Sequence, residues 1–244
     1  MKQNTLLVGM GFSVLFLAGC SSVTKPPPPP DGNTPVAWVN GDVIFRAEFE
    51  EEMLLHRGTV AADFIQRHGP VDGGDFWHTR RDGETASEML SRATLDGMVR
   101  ITVQRALMRE YGMAVPKDYD AFLASWKAEN KRRAEVLAEG GIIYGPRQYS
   151  LAVWRDYWFS NAVIELKRRL VQNHRLVIPE QEMRARYTAL KAAGEPMGQS
   201  FEDARIIVQA YLLDVHYEAL IDSLVKKARV EINPAAGEDL PAER

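Results

Sequence analysis

Asn40 and Gly41 lie between two short apolar runs, Val36–Val39 and Val43–Phe45. Both residues tolerate positive φ, and this pair between apolar runs is the strongest short-range hairpin signal. Phe45, Phe49, Met53 and His56 then recur at helical spacing, with Glu48, Glu50, Glu51 and Glu52 among them. This predicts two short strands leading into an acidic helix over about Arg46–His56, whose carboxylates suit the positive end of a helix dipole. One other strand-like stretch occurs, Arg229-Val230-Glu231-Ile232-Asn233, and nearly everything between reads as helix. The expected fold is therefore mainly α: a multi-helix domain with a small β element that pairs N- and C-terminal strands.

The helical segments have recognisable ends. Residues 58–83 read as loop, because His68-Gly69-Pro70 and Asp72-Gly73-Gly74-Asp75 are turn chemistry. Thr85 and Glu88 form a capping-box pattern ahead of a helix ending near Gly112. Leu90, Leu95, Met98, Val99, Ile101, Val103, Ala106 and Met108 cover so much of its circumference that it belongs at the centre of a core. Pro116 is expected to open a charged helix, and Pro146 to open one bearing Leu151, Trp154, Trp158, Ala162, Leu166 and Leu170. A short helix follows Pro179. The last runs from Phe201 to Lys227, with Ala204, Val208, Tyr211, Val215 and Ala219 expected along one face.

The N-terminus reads as an address. Lys2 precedes an apolar run, Leu6–Ala18, too short to span a bilayer comfortably and of signal-peptide length. It ends in Leu17-Ala18-Gly19-Cys20, which resembles the lipobox of bacterial lipoproteins. Cys20 is the chain's single cysteine, so an internal disulfide or CxxC chemistry is excluded. The expectation is a signal peptide over 1–19, lipidation at Cys20 and a tether over 20–35. A helical domain over 36–233 and a polar tail over 234–244 follow. Pro26–Pro30 would form a stiff polyproline spacer of roughly 15 Å. A docking ligand for an SH3 or WW module is the alternative. The expected location is outside the cytoplasm, on a bacterial cell membrane or outer membrane.

The residues offer little chemistry. Lys and Arg number 30 against 33 Asp and Glu, so no basic surplus implies nucleic acid. His56, His68, His78, His174 and His216 show no HExxH spacing, and no phosphate loop or GxSxG elbow occurs. Asp63, Asp72, Asp75, Asp82 and Glu84 cluster around loops but do not match an EF-hand, and solvated carboxylates are the favoured reading. No cofactor, metal or catalytic residue is expected.

Val36-Ala37-Trp38-Val39-Asn40-Gly41-Asp42-Val43-Ile44, followed by Arg46 and Phe49, resembles the N-terminal signature of SurA-type chaperones and PrsA-type foldase lipoproteins. Ile178–Tyr187 looks like that family's helix after the core, and Phe201–Arg205 with Tyr217–Ile232 looks like its closing helix and strand. The resemblance covers most of residues 36–233. In the foldases a parvulin isomerase domain of roughly 90 residues sits between those last two helices. Here Thr188–Ser200 fills that interval, so no isomerase residue is carried over. The resemblance implies a chaperone module that binds unfolded or partly folded secreted polypeptides without catalysis. An adaptor gripping one envelope partner is the alternative, and isomerase activity by family likeness a third reading. Phe76, Trp77, Trp154, Tyr157, Trp158 and Phe159 are the candidate peptide contacts, since aromatics suit varied apolar segments. Core packing competes for each of them, most strongly for Trp154 and Trp158.

Overall fold

Asn40, at φ 53°, and Gly41, at φ 92°, make the turn between strands β1 (Pro35–Val39) and β2 (Asp42–Phe45). The computed structural model describes residues 32–71, 74–196 and 198–236. The expected signal peptide, the lipidation site Cys20 and the tether up to Asp31 therefore lie outside the described residues, as does Asp72, while Pro35 at the end of the expected tether belongs to β1. Strand β3 (Val230–Ile232) completes the sheet in the order β2-β1-β3. It pairs antiparallel with β1, placing Ala37 opposite Ile232, Trp38 opposite Glu231 and Val39 opposite Val230. The expected pairing of N- and C-terminal strands is present.

Asn40 has a second task in that pairing. Its backbone N–H donates to the Arg229 carbonyl at 2.9 Å, and its Oδ1 accepts from the Arg229 N–H at 2.9 Å. Asn233 closes the other end, donating from its backbone to Val36 O at 2.9 Å and from Nδ2 to Pro35 O at 2.7 Å. Arg46 also hydrogen-bonds the Ala236 carbonyl. Val36, Ala37, Val39 and Ile44 pack with Phe49, Leu95, Met98, Val99 and Val103 as one core cluster.

Helix α1 (Arg46–His68) runs well past the expected end at His56. Gly58 lies inside it with an exposed face, and glycine's cost there is only about 1 kcal/mol. Val60 and Phe64, one and two turns later, pack on Ala86, Met89 and Leu90, which offsets that cost. The loop begins at Gly69 instead. Helix α2 (Ala86–Glu110) carries the expected capping box, with Thr85 and Glu88 each bonding the other's backbone. Its buried residues run from Met89 through Met108 on nearly all sides. It is the central helix.

The other helices form two hairpins. Helix α3 (Tyr119–Ala138) starts at an Asp118 cap rather than at Pro116. Helix α4 (Leu151–Gln172) starts at a Ser150 cap rather than at Pro146, so residues 139–149 form the link between them. In both cases a side chain that accepts an orphan N–H wins over proline's preset φ. Helices α5 (Glu180–Ala192) and α6 (Phe201–Lys227) are linked by residues 193–200.

Helix α6 does not bury the single stripe expected of it. Phe201, Ala204, Val208 and Leu212 pack with Met183 of α5, whereas Tyr217 and Ile221 pack with Leu107 of α2 and Leu166 of α4. Val208 and Tyr217 are nine residues apart, which at about 100° per residue places them on opposite sides. Two partners on two sides replace one stripe, and Tyr211, Val215 and Ala219 are left exposed. Tyr217 donates to Gln104 Oε1 at 2.6 Å inside the core, and burial pushes its phenol pKa up.

Candidate functional site

The link between α3 and α4 runs Glu139-Gly140-Gly141-Ile142-Ile143-Tyr144-Gly145-Pro146. Gly140 and Gly145 hold φ of 75° and 81°, so each end is a turn that strains any residue with a Cβ. The backbone between them is fastened from inside by Arg133, a charged side chain only 5% exposed. Its Nη1 donates to Tyr144 O at 3.0 Å and Pro146 O at 2.7 Å, and its Nη2 donates to Tyr149 Oη at 2.9 Å. Its Nε donates to Glu129 at 2.9 Å. The guanidinium also lies over the Tyr149 ring, 4.2 Å from the centroid. Arg132, helped by Arg133, holds the Glu129 carboxyl below the usual range, so the anion that anchors this fork stays charged.

Tyr149 is pinned as firmly. Asn130 Oδ1 accepts from its N–H at 2.8 Å, while Asn130 Nδ2 and Trp126 Nε1 donate to its carbonyl at 3.0 and 2.8 Å. The backbone is thus held inward while side chains point outward. Ile142 is 83% and Tyr144 88% exposed. With Val153, Tyr149 and Tyr157 they line an open cleft of about 580 Å³. Arg132 and Arg133 are its charged lining residues. A rigid backbone that presents aliphatic and aromatic side chains beside arginines has the composition of an interaction hot spot. Such a composition suits contact with apolar segments of another chain.

The aromatic residues singled out in the sequence divide among three places. Tyr157 lines this cleft, stacked on Tyr149 at 5.3 Å, whereas Trp154 packs on Tyr149 at 5.5 Å without lining it. Trp154 is half-buried and its Nε1 donates to Ser125 at 3.2 Å. Trp158 packs on Phe122, edge to face at 6.1 Å, and Phe159 packs on the cluster around Leu166 and Tyr217. Phe76 and Trp77 belong to the loop after α1. There Phe76 meets Phe64 edge-on at 5.7 Å, and Arg57 lies 4.7 Å over Trp77. Sequence reasoning missed Ile142 and Tyr144. The signal was present as Ile-Ile-Tyr between two glycine turns, a short apolar run in a link too brief to bury it.

A second cleft, of about 190 Å³, opens between the sheet, α2 and α3. Its charges are matched within the described residues. Glu48 pairs with Arg105, Asp42 with Arg109 and Asp118 with Lys117. Glu52 meets Arg155 of α4 at 3.5 Å. Glu48–Arg105 and Glu52–Arg155 fasten α1 to α2 and α4, Asp42–Arg109 fastens β2 to α2, and Lys117–Asp118 is local to the start of α3. Tyr119 is buried beside them, and burial, followed by Glu51 and Glu48, pushes its phenol up to about 12. The folded chain therefore keeps a proton that the unfolded chain releases near pH 10. The stability linked to that proton is intact below about pH 10 and is lost between 10 and 12. Tyr119→Phe should abolish that part of the alkaline loss in denaturant melts at about pH 9 and 11. An identical loss in the variant would refute the assignment.

The carboxylates expected around loops are likewise engaged by neighbours, and Asp63 lies inside α1 instead. Asp82 and Glu84 face the His68 ring at 2.7 and 3.4 Å, Asp63 bonds Arg67, and Asp75 bonds His78. Among the described residues no cluster of three or more His, Cys, Asp or Glu could hold a metal ion.

No family model matches the chain, and no solved structure matches it. Among curated proteins it is similar to the chaperone for lacto-N-biosidase of Bifidobacterium longum subsp. longum. The two are 27% identical over 123 residues, 50% of this chain and 44% of that protein. The matched half of the chain is thus similar to part of a chaperone. It spans less than half the length of that relative, and the likeness is to a chaperone rather than to the SurA or PrsA type in particular.

Proposed function

We propose that the protein is a chaperone of the SurA/PrsA type that works outside the cytoplasm, lipid-anchored through Cys20 and lifted from the bilayer by its proline-rich tether. It holds partly folded secreted polypeptides through the α3–α4 link. The observation that carries this reading is the pairing of an internally fastened backbone with exposed Ile142 and Tyr144. Apolar side chains presented on a rigid support lose little entropy on binding, which favours capture without any catalytic step. Likeness to a chaperone supports the same class of activity.

A denatured client diluted into buffer should scatter less light when the chain is present in several-fold excess. Unchanged aggregation would refute the proposal. A proline-limited refolding reaction should show no rate change, since binding alone is proposed. For the anchor, Cys20→Ser should change the mature mass and the protein's partition into the membrane fraction. If partition and mature mass are both unchanged, there is no lipid at that residue.

A second reading is favoured by one observation: the relative is named as a chaperone for a single enzyme. On that reading this chain serves one dedicated secreted client. Crosslinking in cells separates the two, since one stoichiometric partner indicates dedication and a broad set of partners indicates a general holdase.

A further inference from the structure

Helix α4 leaves Val153, Tyr157, Ile164 and Val171 exposed. At about 100° per residue they share a sector roughly 40° wide, opposite the face buried through Ala162, Leu166 and Leu170. They span about 27 Å of helix at 1.5 Å per residue. Val153 and Tyr157 line the cleft at the α3–α4 link. Val171 lines another, of about 260 Å³, with Leu176, Val177, Ile178 and Leu213. Ile164, 67% exposed, lies between them. The outer side of α4 thus carries apolar side chains from one cleft to the other, with Ser160 and Arg168 interspersed. A surface helix ordinarily turns polar residues outward, and a series of exposed apolar side chains along one side marks a contact surface.

The chemistry of the occupant follows from what a helix face can offer. The main chain of α4 is already hydrogen-bonded to itself. An extended segment laid along it would bury its own N–H and C=O groups without partners, which is costly. A helical segment arrives with those groups satisfied. Tyr157, Ile164 and Val171 also recur every seven residues, the repeat at which two helices keep a seam in contact. The charges near this stripe are mostly positive. Arg147 and Arg175 are exposed and have no carboxylate partner among the described residues, whereas Arg132 and Arg168 share theirs with Glu129 and Glu165. Asp156 is an exposed acid beside the stripe, and Asp214 of α6 pairs with the flanking Lys167 at 2.7 Å.

We propose that the outer face of α4 receives an amphipathic helix with acidic flanks, presented by the client polypeptide. The claim rests on the chaperone reading and narrows it to the chemistry of the bound segment. The test uses the full chain and a fluorescent three-heptad peptide with Leu at the seam positions and Glu beside them. One comparison peptide places the same Leu residues at alternate positions, and another replaces Glu with Lys. The acidic helical peptide should bind roughly tenfold more tightly than either, and Ile164→Glu should weaken it roughly tenfold without changing the melting temperature. Equal binding of the three peptides, or unchanged binding by Ile164→Glu, would overturn the assignment. So would a wild-type dimer that Ile164→Glu converts to monomer, because the face would then belong to a second copy. Light scattering on the same preparations separates the claims. Aggregation suppressed equally by wild type and Ile164→Glu, with no peptide preference, sinks the α4 assignment and leaves the chaperone reading standing. A peptide preference without any suppression does the reverse.

Discussion

Deleting the chain from Arg229 onward is expected to destabilise the whole domain, not to fray one end. The deletion removes both bonds between Asn40 and Arg229 and both bonds from Asn233 to the start of β1. At about 1 kcal/mol net each, these contribute roughly 4 kcal/mol. Val230, Ile232 and Ala236 also leave the cluster around Val36, Val39 and Leu95, adding about 2 kcal/mol for partial burial. The sum approaches the total stability of many domains, about 5–15 kcal/mol. The loss is global because β1 is the central strand and its buried side chains face α2. A fall in melting temperature of roughly 10–20 °C should result. Deleting residues 237–244 alone leaves every named contact in place and should leave the melting temperature where it was. An unchanged midpoint for the longer deletion would refute the clasp.

Replacing Arg133 by Met is expected to act on the client surface more than on the body of the protein. Arg133 bonds two carbonyls of the α3–α4 link, the Tyr149 hydroxyl and Glu129. A hydrogen bond to a charged group is worth about 1.5–3 kcal/mol, so its loss frees the link. Ordering a residue costs about 1–2 kcal/mol, and a client would have to meet that cost at each bond it re-forms. Client capture should weaken roughly tenfold or more. Amides of residues 141–149 should exchange faster in deuterium, while those of α2 keep their protection. Lysine should not rescue the variant, because a single ammonium cannot reach the three oxygens that the planar fork holds at once. Unchanged exchange in the link together with unchanged capture would show that this backbone needs no such fastening.

The parts of the fold that follow from local chemistry could be read in the sequence. Asn40-Gly41 announced the hairpin, Thr85 and Glu88 the capping box, and Val230–Ile232 the returning strand. The parts that depend on tertiary partners could not. Helix α1 continues through Gly58 because Val60 and Phe64 find Met89 and Leu90, which no local signal near Gly58 predicts. Helix α6 changes its buried side because α5 covers one half while α2 and α4 cover the other. Periodicity within one helix shows which residues share a face, but not how many partners the helix meets.

The candidate surface was legible in part for the same reason. An aromatic side chain carries no sequence mark that tells a core position from a presented one. Phe159 turns inward, Trp158 packs on Phe122 at the second cleft, Trp154 packs on Tyr149, and Tyr157 lines the cleft at the α3–α4 link. The link that presents Ile142 and Tyr144 is bonded by Arg133, whose role there could not be read from a strongly charged helix in the sequence.

The central claim is that clients are held at the α3–α4 link. The most direct test places a photo-activated crosslinking residue at Tyr144 in one variant and at Lys226 in another, both in full chains in living cells. The account predicts adducts to secreted polypeptides from position 144, diminished by Arg133→Met, and none from position 226. Equal adducts from both positions, or adducts from 226 alone, would contradict it.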